Sequence, residues 1–244
     1  MSGLLEILQS GAEGLLRLVY PPACALCGGR LEPPRKLGLC PECWRGAPLI
    51  RLPYCTACGQ PLNADEVPGG LCLDCRLQAP PVVLRAAALY REPLVSLLHL
   101  CKFDFWAPAA EQLAELLVER AHALFPDWRP DALVPVPLHP RRLRWRGFNQ
   151  SELLARALAE HWDLPVTPAL RRVRDTVPQA RLPREARLTN LRGAFAPRRP
   201  AGLRGARLLL IDDVTTSGGT VYECARTLSA AGTAEVRAYL VARS

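Results

Sequence analysis

The stretch Arg207-Leu-Leu-Leu-Ile-Asp-Asp-Val-Thr-Thr-Ser-Gly-Gly-Thr220 decides the fold. Leu208 to Ile211 are four apolar residues in succession, the pattern of a strand buried on both faces. Asp212 and Asp213 stand at its C-terminal end, the edge at which open α/β sheets bind ligands. Thr215, Thr216, Ser217, Gly218, Gly219 and Thr220 form a small, hydroxyl-rich turn, and Val221 to Ala231 reads as a helix. Backbone N–H groups in such a turn, backed by a helix N-terminus, cradle a phosphate. Two adjacent carboxylates beside the cradle accept from sugar hydroxyls, so the combination reads as a site for a phosphorylated sugar. A Gly-rich turn alone would be an ordinary strand–turn–helix. The carboxylates are expected at a solvated strand end.

Working outward, Asp131 to Pro137 is a second apolar strand, which runs into a basic loop carrying Arg141, Arg142, Arg144 and Arg146. A loop after a parallel strand lies at the ligand edge of the sheet, so these arginines can meet a pyrophosphate or a nucleic-acid backbone. Ser151 to His161 is an amphipathic helix, Leu84 to Tyr90 a strand, Glu92 to Cys101 and Ala107 to Leu124 helices, and Val236 to Val241 a last buried strand. His99 and Cys101, beside Lys102, read as core or edge residues. Strands alternating with helices predict an α/β domain with a mostly parallel sheet. Leu170 to Phe195 is basic and irregular, with a short helix over Pro183–Asn190, and reads as a mobile lid.

Before residue 76 the chain carries four Cys-x-x-Cys pairs: Cys24/Cys27, Cys40/Cys43, Cys55/Cys58 and Cys72/Cys75. Each pair can present two thiolates to one tetrahedral Zn²⁺. Gly28 and Gly59 follow the second cysteine of each leading pair, where the knuckle needs a permissive backbone. The repeat reads as two Cys₄ zinc ribbons holding two structural zinc ions. Pairing in sequence order is the simplest arrangement, and an interleaved one stays open. Metal substitutes for a core that so short a segment does not build.

Ser2 to Tyr20 reads as a helix with Leu4, Leu8, Leu15 and Val19 at helical spacing, ended by Pro21-Pro22 and packed on the protein or a partner. The boundaries are therefore 1–22 for this helix, 23–78 for the double ribbon and 83–244 for the α/β domain. The chain has 244 residues and is 49% hydrophobic, yet no apolar run approaches the ~18 residues of a membrane span. The N-terminus has neither the basic region nor the cleavage site of a secretory signal, and reduced cysteines fit the cytoplasm. Net charge is +8. Between Arg141 and Arg207 there are 16 arginines and 5 acids, net +11, a block suited to a phosphate-rich partner. Arginines outnumber lysines 29 to 2 across the chain, so arginine bias alone accounts for part of it. The block has few interleaved aromatics, Trp145, Phe148 and Phe195, which is thin for base stacking.

At Ile211–Thr220 the chain resembles the type I phosphoribosyltransferases, whose signature for phosphoribosyl pyrophosphate (PRPP) runs from a hydrophobic strand through a final Thr. The resemblance implies that Asp212 and Asp213 hold the ribose hydroxyls, directly or through metal, that Thr215 to Thr220 hold the 5′-phosphate, and that Mg²⁺ accompanies the pyrophosphate. Where some members carry an acidic general base this chain has Thr216, so no catalytic residue is assigned. The cysteine knuckles, the stretch Val134-Pro-Val-Pro-Leu-His-Pro-Arg-Arg-Leu-Arg-Trp-Arg-Gly-Phe-Asn-Gln150 and the Gln179…Phe195 segment together resemble the ComF (ComFC/GntX) family. That likeness implies a type I phosphoribosyltransferase-like domain behind a double zinc ribbon. It also implies a cytoplasmic protein of bacterial competence, working with competence-protein partners on incoming single-stranded DNA during natural transformation. The rival expectation is an active phosphoribosyltransferase acting on a small-molecule acceptor, with no DNA role.

Overall fold

A strand of unbroken apolar residues needs cover on both faces, and the chain supplies it with helices drawn from either side of that strand in sequence. The computed structural model describes residues 22–31, 38–63, 70–103, 107–176 and 190–244. The N-terminal helix expected over Ser2–Tyr20, the helix expected over Pro183–Asn190 except its last residue, and half of the lid expected over Leu170–Phe195 lie outside the described residues. In chain order the elements are α1 (Pro41–Arg45), α2 (Leu73–Leu77), β1 (Val83–Leu89), α3 (Leu94–Phe103), α4 (Ala107–Leu124), β2 (Ala132–Pro135), α5 (Pro140–Arg146), α6 (Gln150–Trp162), β3 (Leu170–Arg172), β4 (Phe195–Pro197), β5 (Arg207–Thr215), α7 (Gly219–Ala230) and β6 (Glu235–Arg243).

The main sheet has the order β1-β6-β5-β2 with every pair parallel. On β5 the side chains alternate, as the two-residue period of a strand requires. Leu209 and Ile211 join Tyr239 and Val241 under Leu113 and Leu117 of α4 and Leu154 and Leu158 of α6. Leu208 and Leu210 face the other way, against Val221, Cys224 and Leu228 of α7. Tyr239 is fully buried, and its hydroxyl is satisfied by donating to the Leu117 carbonyl at 2.7 Å. The two ends of the predicted lid pair antiparallel as β3 and β4, a ribbon separate from the main sheet.

The stretch expected as a basic loop is a helix over Pro140–Arg146. Pro140 stands at its first positions, His139 Nδ1 accepts from the Arg141 N–H at 3.3 Å, and Gly147 ends it at φ +82°. Proline at the start and glycine past the end are the ordinary helix punctuation, and arginine between them is a good helix former. The helix after the central strand starts two residues earlier than predicted, because Gly218 takes φ +80° and caps it.

The cysteine-rich segment closes the β1 edge of the sheet. Ile50 N–H donates to Ala87 at 3.0 Å, Leu89 N–H to Pro48 at 2.8 Å, and Leu84 N–H to Ala57 at 2.9 Å. Gly59, at φ +70°, lies so near that a Cβ there would sit 2.8 Å from the Leu84 carbonyl oxygen, so no other residue allows this approach. The first ribbon is fixed separately. The buried Gln112 of α4 accepts from the Leu39 N–H at 2.8 Å and donates to the Leu39 carbonyl at 3.1 Å.

Gln112→Leu should cost about 2 to 6 kcal/mol, one desolvation penalty for each Leu39 group left unpaired. Denaturant melts should report that loss. Zinc should leave the Cys24 tetrad faster while the Cys55 tetrad keeps its rate.

Candidate functional site

Asp212 and Asp213 close the buried part of β5, and they are not solvated as expected: they are 9% and 7% exposed. Two helices reach over the strand end to satisfy them. Ser151 Oγ donates to Asp212 Oδ1 at 2.7 Å, and the Asp213 N–H donates to the same oxygen at 3.0 Å. Lys102 Nζ lies 2.6 Å from Asp213 Oδ2, which Gln150 Nε2 approaches at 3.5 Å, while Asp213 Oδ1 accepts from the Val214 N–H at 2.7 Å. Burial, and then the charge of Asp213, push the Asp212 carboxyl up to about 7. Burial works against the Lys102 ammonium, but Asp213 outweighs it and holds the group above its ordinary range.

Asn149 places the α6 side of this network. Its Oδ1 accepts from the Ser151 N–H at 3.2 Å and its Nδ2 donates to the Val136 carbonyl at 3.0 Å. The start of α6 is thereby pinned to the end of β2, which brings Gln150 and Ser151 over the acids. Arg146 donates to Gln150 Oε1 at 2.7 Å. Burial lowers the Arg146 guanidinium's affinity for its proton, opposed by the charge of Asp213. Sequence reasoning named Arg146 but missed Lys102, Gln150 and Ser151. The signal for Lys102 was present: it is one of two lysines in a chain with 29 arginines.

The turn that follows is built for close approach. Thr215 Oγ1 accepts from the Gly218 N–H at 2.9 Å. A Cβ on Gly218 would meet the Tyr222 ring at 2.5 Å. Ser217 Oγ is buried and has no hydrogen-bond partner, whereas Thr216 is exposed. Thr216 and Ser217 also border a cleft of ≈ 670 Å³, whose far wall is Cys72 and Leu73 of the second ribbon. Arg243 ties that wall to the end of β6 by donating to the Cys58 carbonyl.

The four arginines of α5 divide. Arg142 turns inward to the Thr176 carbonyl at 2.8 Å and Arg146 toward the acid pair. Arg141 and Arg144 are exposed, and so is Trp145, next to Arg144 in the chain, at 67%.

The eight knuckle cysteines gather into two tetrads, Cys24/Cys27/Cys40/Cys43 and Cys55/Cys58/Cys72/Cys75, each with its sulfurs within 4.8 Å of one another. This resolves the pairing in sequence order. None of the cysteines is in a disulfide. Burial would raise Cys24, but backbone N–H groups of Cys27 and Cys40 outweigh it and draw the thiol down to about 6. Burial and the neighbouring sulfurs push Cys43 up to about 12. Four thiols so close do not ionise together without a cation, and an all-sulfur tetrad fits structural zinc. Gly28 and Gly59 both take φ +70° in the knuckles.

Among the described residues no helix is long and apolar enough to cross a membrane. A family model described as a double zinc ribbon domain matches residues 15–76. DNA utilization protein YhgH of Salmonella typhi is 36% identical over 238 residues, covering 93% of this chain and 99% of that one. Competence protein F of Haemophilus influenzae is 33% identical, covering 91% and 96%. Competence protein ComFC of Bacillus subtilis is 28% identical, covering 88% and 87%. Among solved structures, the glutamine PRPP amidotransferase of B. subtilis overlays 54% of this chain and 25% of its own at a TM-score of 0.37 and 19% identity. An adenine phosphoribosyltransferase overlays 60% and 75% at 0.35 and 17%. Overlays so loose add nothing to the strand order and connectivity given above. A double zinc ribbon joined to a parallel α/β domain defines the class, and similarity along nearly the whole length refines it. The chain belongs to the ComF family of competence and DNA utilization proteins.

Elemental analysis should find two zinc ions per chain; one or none would remove the double ribbon. A second expectation concerns Asp212. A carboxyl raised from 3.8 to about 7 favours the folded state fully below about pH 4, and that contribution is lost as pH rises through about 7. Asp212→Asn keeps an acceptor for Ser151 without that loss. The melting temperature of the variant, relative to wild type, should therefore climb between pH 5 and 8.

Proposed function

We propose that the end of β5 and the turn after it bind PRPP, and that this cytoplasmic protein serves natural transformation by handling incoming single-stranded DNA. The observation that carries the sugar-phosphate reading is the orphaned Ser217 hydroxyl, buried in a Gly-opened turn directly after a buried acid pair. A buried hydroxyl without a partner costs free energy unless a ligand completes it, and a phosphate oxygen does so. In this reading Asp212 and Asp213 take the ribose hydroxyls, while Thr215, Thr216, Ser217, Gly218, Gly219 and Thr220 surround the 5′-phosphate. The acids fit hydroxyl donors better than a bare metal. Asp212 Oδ1 and both oxygens of Asp213 already accept hydrogen bonds. Mg²⁺ then comes with the pyrophosphate and supplies charge neutralisation there.

The DNA part of the reading is supported by the names of the relatives and by the outer face of α5. There Arg141, Arg144 and the Trp145 indole are all exposed, so one short helix offers both phosphate contacts and a base-stacking surface. Arg142 and Arg146, engaged inside, are left to the sugar-phosphate side.

A second reading is an active transferase, favoured by the cleft between the turn and the second ribbon. It has room for an acceptor beside the phosphate cradle. In that reading an acceptor nucleophile bonds to C1 of the ribose and pyrophosphate leaves with the electrons of the broken bond.

Calorimetric titration of Mg²⁺-PRPP, with and without a single-stranded oligonucleotide, tests the proposal. Saturable PRPP binding should be lost in Asp213→Asn. Wild-type affinity in that variant would remove the acids from the site. Oligonucleotide affinity should fall with salt, and Arg141→Gln with Arg144→Gln should flatten the log–log slope by about 1.4, two contacts at ~0.7 each. Binding that weakens at an unchanged slope would place the DNA elsewhere. Pyrophosphate release on adding an acceptor, with no DNA binding, would favour the second reading.

A further inference from the structure

Lys102 has no place in the sequence motifs that define the site, yet it makes the shortest contact within it. Its ammonium lies 2.6 Å from Asp213 Oδ2, with side-chain exposures of 21% and 10%. The other oxygen of Asp213 is committed to the Val214 N–H at 2.7 Å, and Asp212 Oδ1 to Ser151 and the Asp213 N–H. A hydroxyl reaching Asp213 Oδ2 therefore has to compete with Lys102.

The pair of acids explains why a cation is there at all. Two neighbouring carboxylates, both buried, repel each other and lose hydration. An ammonium between them and solvent offsets both costs. A lysine suits an exchangeable post better than the arginine this chain otherwise favours. Its ammonium is a point charge with three rotatable donors on a flexible four-carbon stem, whereas a guanidinium locks a carboxylate bidentately. Arg146 of α5 is linked to the acids through Gln150 and by the charge of Asp213, so two cations from separate helices act on Asp213.

We propose that Lys102 is a binding residue for pyrophosphate that exchanges partners. Without ligand it neutralises Asp213. When a ribose hydroxyl takes Asp213 Oδ2, the ammonium swings to the diphosphate on the same sugar, beside Arg146. This rests on the PRPP reading above and extends it, because Lys102 opposes one half of the ligand and holds the other. A residue that only stabilised the fold would favour both halves alike.

Three probes separate the halves: Mg²⁺-PRPP, Mg²⁺-pyrophosphate and ribose 5-phosphate, each titrated against wild type, Lys102→Met and Lys102→Arg. Pyrophosphate and PRPP affinities should fall about ten- to a hundredfold in Lys102→Met, the range for one hydrogen bond between charged groups. Ribose 5-phosphate should bind it as well as wild type or several-fold better, since its competitor for Asp213 is gone. Lys102→Arg should recover pyrophosphate affinity and bind ribose 5-phosphate less well than Lys102→Met. Unchanged pyrophosphate affinity in Lys102→Met overturns the proposal. So does a parallel loss of all three ligands with a lowered melting temperature. If Lys102→Met does not fold, Lys102→Gln, which is neutral but polar, carries the pyrophosphate arm: pyrophosphate and PRPP affinities should fall while ribose 5-phosphate affinity stays at the wild-type level. A wild-type protein that binds ribose 5-phosphate and PRPP equally removes Lys102 alone, whereas one that binds neither removes the PRPP reading itself.

Discussion

Two carboxylates side by side at the end of a fully buried strand are the constraint around which the α/β domain is arranged. Asp212 and Asp213 are both buried from water, and each must be satisfied by something the chain brings to it. The helix after β1 delivers Lys102 from its last turn. The second helix after β2, α6, delivers Gln150 and Ser151 from its first, with Asn149 fastening that turn to Val136. Helices that are far apart in sequence are thus tied to one strand end by polar contacts as well as by the apolar layer of Leu113, Leu154 and Leu209 beneath them. The geometry of the site and the packing of the sheet are consequently hard to change separately.

The fold was legible because its signals are local. The run Leu208–Ile211 has only one economical use, and Cys-x-x-Cys repeated four times leaves few alternatives to metal. Alternation of strand and helix then ordered the rest. Where the reading failed, the missing information was tertiary. Nothing in the sequence around Asp212 shows that helices from elsewhere cover it, so a solvated strand end was the natural expectation. The arginines of Pro140–Arg146 looked like a loop because their charge drew attention from the proline and glycine that bracket a helix. Their division into inward and outward pairs follows from the helical turn, not from composition. Pairing of the cysteines likewise needed coordinates, since spacing alone permits more than one arrangement.

The turn after β5 is marked by very little side chain. Its distinguishing features are a positive φ, a space that a Cβ would fill against Tyr222, and one hydroxyl left without a partner. Each is a property of backbone or of absence, and in sequence each appears only as Ser217-Gly-Gly219. The acids announce themselves by charge, but the turn is recognisable only beside them.

The cover that the cysteine-rich segment gives to β1 has a bearing on how the protein fails. The hydrogen bonds from Ile50, Leu84 and Leu89 occupy an edge that otherwise offers open N–H and C=O groups along an apolar strand. Such an edge templates pairing with another chain. The segment stays in place only while its knuckles keep their shape, so zinc guards the sheet against self-association as well as shaping the ribbons. Zinc starvation would then be met first as aggregation, with the α/β domain still folded inside the aggregate.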